Sequence, residues 1–177
     1  RLELRENGRT ECFLNQWQGL PSHGYSYLIE KMIEGIPVEY RTTEFNKDDY
    51  DLIISSAPID RLFDYKYGRL QYRSMKYKNV RDEPWEHDEY GTINLPQHPK
   101  YIRKCNFKVL HKAESSHNWI QYQEPIDATD GRHLPMYPVN TQENEAVSDK
   151  YLKDICATKI FPIGRLGLFK YLDMDKA

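Results

Sequence analysis

Long apolar runs are the first thing missing from this 177-residue chain: no stretch approaches the ~20 residues that cross a bilayer. No secretory leader opens it either. Cytoplasm is therefore the default location. Cysteine is scarce. Cys12, Cys105 and Cys156 are odd in number, far apart and without CxxC spacing, which argues for reduced thiols and against a disulfide framework. The six histidines show neither HxxxH nor Cys–His spacing, so no metal site is expected. Charge of one sign is absent as well: 25 Lys and Arg against 27 Asp and Glu leave a net −2. The basic residues are scattered, which excludes nucleic acid as the expected partner. Neither a GxGxxG dinucleotide fingerprint nor a GxSxG nucleophile turn occurs. The GRLG at 164–167 is too short to be the former.

What the chain has is tyrosine, 14 of them, within an apolar share of 39 % that becomes lean once they are set aside. Most are expected as half-buried sheet residues, ring inside and hydroxyl in water. Length fits one domain. The opening RLELR alternates like a strand and lacks a Met, so it reads as cut from something longer. Ser22 to Gly35 reads as a helix capped by Ser22, with Leu28, Ile29, Met32 and Ile33 as a core stripe and Gly35 in the left-handed position beyond its end. Pro37 to Tyr40 and Leu52 to Ser55 read as short strands.

From Leu70 the period is two, with Leu70 and Tyr72 on one side and Gln71, Arg73, Met75 and Tyr77 on the other. Strands are also expected at Thr92 to Leu95, Tyr101 to Leu110 and Trp119 to Gln123. Together they predict an α+β fold whose antiparallel sheet lies mainly at 70–123. Asn140 with Glu143 caps a helix to about Ala157, with Val147, Tyr151, Leu152 and Ile155 buried. The segments 22–57 and 141–177 read as pieces of an incomplete α/β layer, so apolar faces should be left for a missing segment or for self-association as a homo-oligomer.

The stretch Pro58 to Ser74, PIDRLFDYKYGRLQYRS, carries a resemblance beyond its turn-then-strand pattern. It resembles the UDP-galactopyranose mutase family, flavoenzymes that interconvert UDP-galactopyranose and UDP-galactofuranose. Three further stretches are similar to that family: QWQGLPSHGY, the word Tyr137-Pro138-Val139-Asn140, and Gly164-Arg165 followed by Lys170-Tyr171-Leu172-Asp173-Met174. The resemblance covers nearly the whole chain but only about the carboxy-terminal half of the family's pattern. The half with the glycine-rich FAD-binding fold has no counterpart here.

The resemblance implies an isomerase in which N5 of a reduced FAD attacks the anomeric carbon while the protein holds the leaving diphosphate. It assigns diphosphate binding to Arg5, Trp17, Arg103, Tyr137 and Tyr171, with Arg5 and Arg103 as the catalytic cations. It sets Arg165 against the flavin ring and Asp173 and Met174 along the flavin's ribityl and pyrimidine edge. Arginine forks suit phosphate oxygens because they offer paired, permanently charged donors. Alone, this part is expected to bind no FAD and to be inactive. The family pattern is broken at Trp17, usually tyrosine; at Ala57, usually glycine; and at Lys104 to Asn106, where a glutamate is favoured. Those departures favour a second reading, a non-catalytic nucleotide-sugar-binding module of a larger sugar-polymer biosynthesis protein; a third, a structural sheet module without a ligand, stays open beside it.

Overall fold

A ten-residue strand, β2 (Tyr72–Arg81), is the axis of the fold, and its burial follows the alternation of its sequence. Tyr72 and Ser74 are buried while Arg73 and Tyr77 face outward. The computed structural model describes residues 19–40, 46–173 and 176. It contains two compact units, Arg1–Glu44 and Phe45–Ala177.

In the first unit, α1 (Gly24–Met32) begins one residue beyond His23, which supplies no side-chain cap, so the expected Ser22 cap is not formed. Gly35 takes the expected left-handed conformation, φ 81°. The stripe expected as core is open: Leu28, Ile29 and Met32 are all exposed, and α1 buries no residue. Helical periodicity tells which face is apolar and nothing of what covers it. Pro37 to Tyr40, expected as a strand, forms none; Pro37 has no N–H to give a ladder.

The second unit is α+β. Strand β1 (Ile53–Ser55) runs parallel to β7 (Ile160–Pro162), with Ile54 opposite Phe161. The larger sheet is antiparallel, in the order β3 (Thr92–Asn94), β4 (Arg103–Asn106), β5 (Trp119–Asp127), β2, β6 (Tyr137–Pro138). Its spine is the β2–β5 pair, in register from Arg73 opposite Asp127 to Arg81 opposite Trp119. Pro125 is tolerated inside β5 because β4 pairs only as far as Gln123, so the missing N–H costs no ladder bond.

The expected strand Tyr101 to Leu110 is cut in two. Asn106 is fully buried, and its side chain accepts the N–H groups of Lys108 and Val109, turning Phe107–Leu110 into a short helix, α3. Asparagine caps helices well because its oxygen satisfies orphan donors of the first turn. The long helix α4 (Gln142–Ile155) is capped by Thr141, one residue after the expected Asn140, through the N–H of Asn144. Its Tyr151 and Ile155 join Ile59, Leu70, Tyr72, Ala128, Ile160 and Phe169 in the core, with Val147 and Leu152 packed against them.

The Pro58-to-Ser74 stretch folds as a knot beneath this core. A single turn, α2 (Ile59–Leu62), presents Asp60, which is 2 % exposed. Its carboxylate accepts the N–H groups of Arg61 and Leu70 and the hydroxyl of Tyr72. Burial, followed by the charge of Asp60, pushes the Tyr72 hydroxyl well above its ordinary pKa, so it remains a donor. From the other side the Tyr151 hydroxyl donates to the carbonyl of Gly68 and accepts the N–H of Tyr67, both at 2.8 Å. Lys66 and the Tyr67 hydroxyl then meet Asp154 at 2.7 and 2.9 Å. A last turn, α5 (Gly164–Gly167), packs so tightly that a Cβ on Gly167 would lie 2.9 Å from the Ser55 carbonyl. Glycine is required there by close approach.

Candidate functional site

The outward face of the antiparallel sheet holds an open groove of about 540 Å³. Strand β2 gives it Arg73, Met75 and Tyr77; β4 and the residue before it give Arg103 and Ile102. Gln123 and Pro125 of β5 form its floor, and Tyr137 of β6 with Tyr171 closes one side. These side chains meet because strand residues two apart share a face, so Arg73, Met75 and Tyr77 project together. Register does the rest: Arg103 lies opposite Gln123, Gln123 opposite Tyr77, and Arg73 opposite Tyr137.

Arg103 is oriented from behind. Its Nε donates to the Asn94 side-chain oxygen at 3.1 Å, across the registered pair of β3 and β4. That bond occupies one of the five guanidinium donors and leaves the fork of terminal nitrogens for a ligand. Tyr137 and Tyr171 stack with centroids 6.0 Å apart and planes 15° apart. Arg165 lies 4.5 Å from the Tyr171 centroid and 5.0 Å from that of Tyr137, and its Nε donates to the Leu172 carbonyl. Stacked cation and rings hold one another in place without consuming the tyrosine hydroxyls. At the Arg73 end, the Thr129 N–H and hydroxyl hold the Asp127 carboxyl below its ordinary range, and the Arg73 charge adds to the effect.

The residues expected from sequence are thus placed as follows. Arg103, Tyr137 and Tyr171 share one groove, with Arg165 against the two rings. Asp173 is exposed two residues beyond Tyr171. Arg5, Trp17 and Met174 lie outside the described residues. Lys104 turns to the other face of the sheet, where its Nζ sits 5.1 Å from the Trp85 ring. Sequence reasoning missed Arg73 and Gln123 as members of the groove and Asn94 as the support behind Arg103. The signal for Arg73 was the alternation that set it beside Met75 and Tyr77; nothing in the sequence linked Asn94 to Arg103.

Every residue lining this groove lies in a stretch, residues 1–171, that matches the UDP-galactopyranose mutase family. The chain belongs to that family. It is similar to the UDP-galactopyranose mutase of Mycoplasma pneumoniae, 32 % identical over 180 residues, which is 90 % of this chain and 45 % of that protein. The probable UDP-galactopyranose mutase of Klebsiella pneumoniae is 31 % identical over 99 % of this chain and 47 % of its own length. The dTDP-fucopyranose mutase of Escherichia coli is 28 % identical over 99 % of this chain and 50 % of its own length. The chain therefore spans about half the length of these relatives. Among its described residues no helix is long and apolar enough to cross a membrane.

Proposed function

We propose that this chain forms the diphosphate-holding side of a mutase that interconverts UDP-galactopyranose and UDP-galactofuranose, with reduced FAD as its cofactor. One observation carries the reading: Arg103, Tyr137 and Tyr171 open onto the same groove, with the Arg103 fork already oriented by Asn94. Ring contraction of a nucleotide sugar breaks the bond between the anomeric carbon and the diphosphate and later remakes it. The protein's task is then to hold the departing diphosphate, which gains a negative charge as the bond breaks, without letting it leave. A fixed guanidinium with neutral tyrosine donors does this, because its dipoles point where charge develops and need no reorganisation. Arg73, at the far end of the groove, adds a second cation.

The residues fit the flavin in part. The stack of Arg165, Tyr137 and Tyr171 offers a cation and flat surfaces to the edge of a polar ring system, and two residues beyond Tyr171 the chain carries the exposed carboxylate of Asp173. Arg165 and Asp173 would hold the ring end, while the sequence of this chain has no glycine fingerprint for the dinucleotide end. When bound, reduced flavin supplies the nucleophile. Two of the departures from the family pattern bear on the non-catalytic reading. Lys104 points away from the groove, so that departure leaves the phosphate donors untouched. Ala57 sits at the end of β1, its N–H on the Ser55 hydroxyl.

Calorimetric titration of the whole protein with UDP, UDP-galactose and a dTDP-sugar tests the proposal. The expected result is heat with a uridine ligand that Arg103→Ala abolishes. Equal affinity of the Arg103→Ala protein would remove the phosphate role. A preference for the dTDP-sugar would keep the groove and change the substrate.

A further inference from the structure

A second cavity, of about 340 Å³, lies on the other side of β2 and shares no residue with the groove. It is framed by the turn at 58–65, by Arg69, and by the loop 128–135. Two arginines line it. The Arg69 guanidinium lies 4.0 Å from the centroid of the Tyr65 ring, and its Nη1 reaches to within 3.4 Å of the position a Cβ on Gly131 would take. Arg69 therefore spans from one wall to the other, resting on an aromatic platform. Arg61 approaches from α2.

The lining also contains two carboxylates, which offset this charge only in part. Asp130 pairs with Arg132, 3.0 Å from its Nε. Asp60 keeps its charge, since its partners, the N–H groups of Arg61 and Leu70 and the Tyr72 hydroxyl, are neutral donors. Among the described residues neither Arg61 nor Arg69 forms an ion pair. Two arginines against the single charge of Asp60 thus leave the cavity an excess of positive charge, with His133 beside them and Pro58, Leu134 and Pro135 as an apolar rim.

We propose that this cavity is a second anion site, separate from the groove, which takes a phosphate dianion between Arg61 and Arg69. Forks brought in from two walls suit a tetrahedral dianion, whose oxygens point in several directions, better than a planar carboxylate, which one fork satisfies. The dianion is either free phosphate or the terminal phosphate of a small monoester. In the monoester case the organic group lies against Leu134 and Pro135. The site is independent of the proposed reaction, since neither arginine borders the groove.

The test is calorimetric titration of the whole protein with inorganic phosphate and with methyl phosphate, comparing wild type, Arg61→Gln, Arg69→Gln and Arg103→Ala. One equivalent is expected to bind. Either glutamine variant should weaken it at least roughly tenfold, as expected for loss of one charge-assisted partner, with Arg103→Ala unchanged. Tighter binding of methyl phosphate would identify a monoester as the natural ligand, and tighter binding of phosphate the free ion. Thermal unfolding of each variant checks that the fold is kept, and Arg69→Lys should restore part of the affinity. No saturable binding, or binding lost in Arg103→Ala and kept in both glutamine variants, would overturn the proposal. Neither result would touch the mutase reading, which rests on nucleotide binding in the groove.

Discussion

The knot under the core and the groove on the sheet are both built around tyrosine and charged side chains, and use them in opposite ways. In the knot, Asp60, Tyr72 and Tyr151 are buried and spend their polar atoms on one another and on backbone. In the groove, Arg73, Arg103 and Tyr171 are exposed, and Arg103 spends only its Nε on the described residues. A buried polar group must be satisfied by the fold, whereas an exposed one is left for a ligand. The stretch Pro58 to Ser74 is therefore scaffold as far as Tyr72, while its Arg73 joins groove residues that come from four strands and the segment after α5.

This division is broken most directly at Asp60. Replacing it with Ala strands the Leu70 N–H and the Tyr72 hydroxyl in the interior, and the expected loss is about 3 kcal/mol of stability in a urea titration. A loss under about 1 kcal/mol would mean the knot is not a support. Arg103→Ala should do the reverse in the whole enzyme. Its activity should fall at least roughly thirtyfold, since a charge-assisted contact is worth ~2–5 kcal/mol and each 1.36 kcal/mol is about tenfold in rate. Its unfolding midpoint should barely move, as is usual for surface changes within about 0.5 kcal/mol.

A milder probe is Tyr151→Phe. It deletes a hydroxyl with two partners and should cost about 1.5 kcal/mol, with nucleotide affinity unchanged; altered affinity would show that the knot and groove are coupled. The smallest effect concerns pH. The bond from Lys66, then that from Tyr67, holds the Asp154 carboxyl below its ordinary range. A depressed carboxylate stabilises the fold above its unfolded pKa, and that stabilisation is lost as pH falls through the folded value. The gap in stability between wild type and Asp154→Asn should therefore be present near neutral pH and close in acid. A gap that stays constant on acidification would assign the Lys66–Asp154 pair no role.

The β2 alternation was legible because one face is buried along its first half, and the α4 stripe because Tyr151 and Ile155 recur at helical spacing. The break at Asn106 was not legible, since the same polar residue serves as an outward strand position or as a cap, and only tertiary burial decides. The open stripe of α1 shows the same limit from another side: Leu28, Ile29 and Met32 announce an apolar face without announcing its cover. For the groove, resemblance named Arg103, Tyr137 and Tyr171, but their meeting depends on strand order, which brings residues from 73 to 171 together. Arg73 and Asn94 went unnamed because their part is defined by neighbours distant in sequence.

The contacts between Tyr67 or Gly68 and Tyr151 join positions 83 and 84 apart in the chain. Everything from β2 to β6, and with it most of the groove, lies inside the loop those contacts close. Closing so long a loop is entropically unfavourable until its interior is already ordered. The knot is then expected to be the late step of folding, with the β2–β5 pair and its neighbours formed first and the clasp afterwards setting how slowly the finished sheet is let go. Substitutions at Tyr151 should speed unfolding far more than they slow folding.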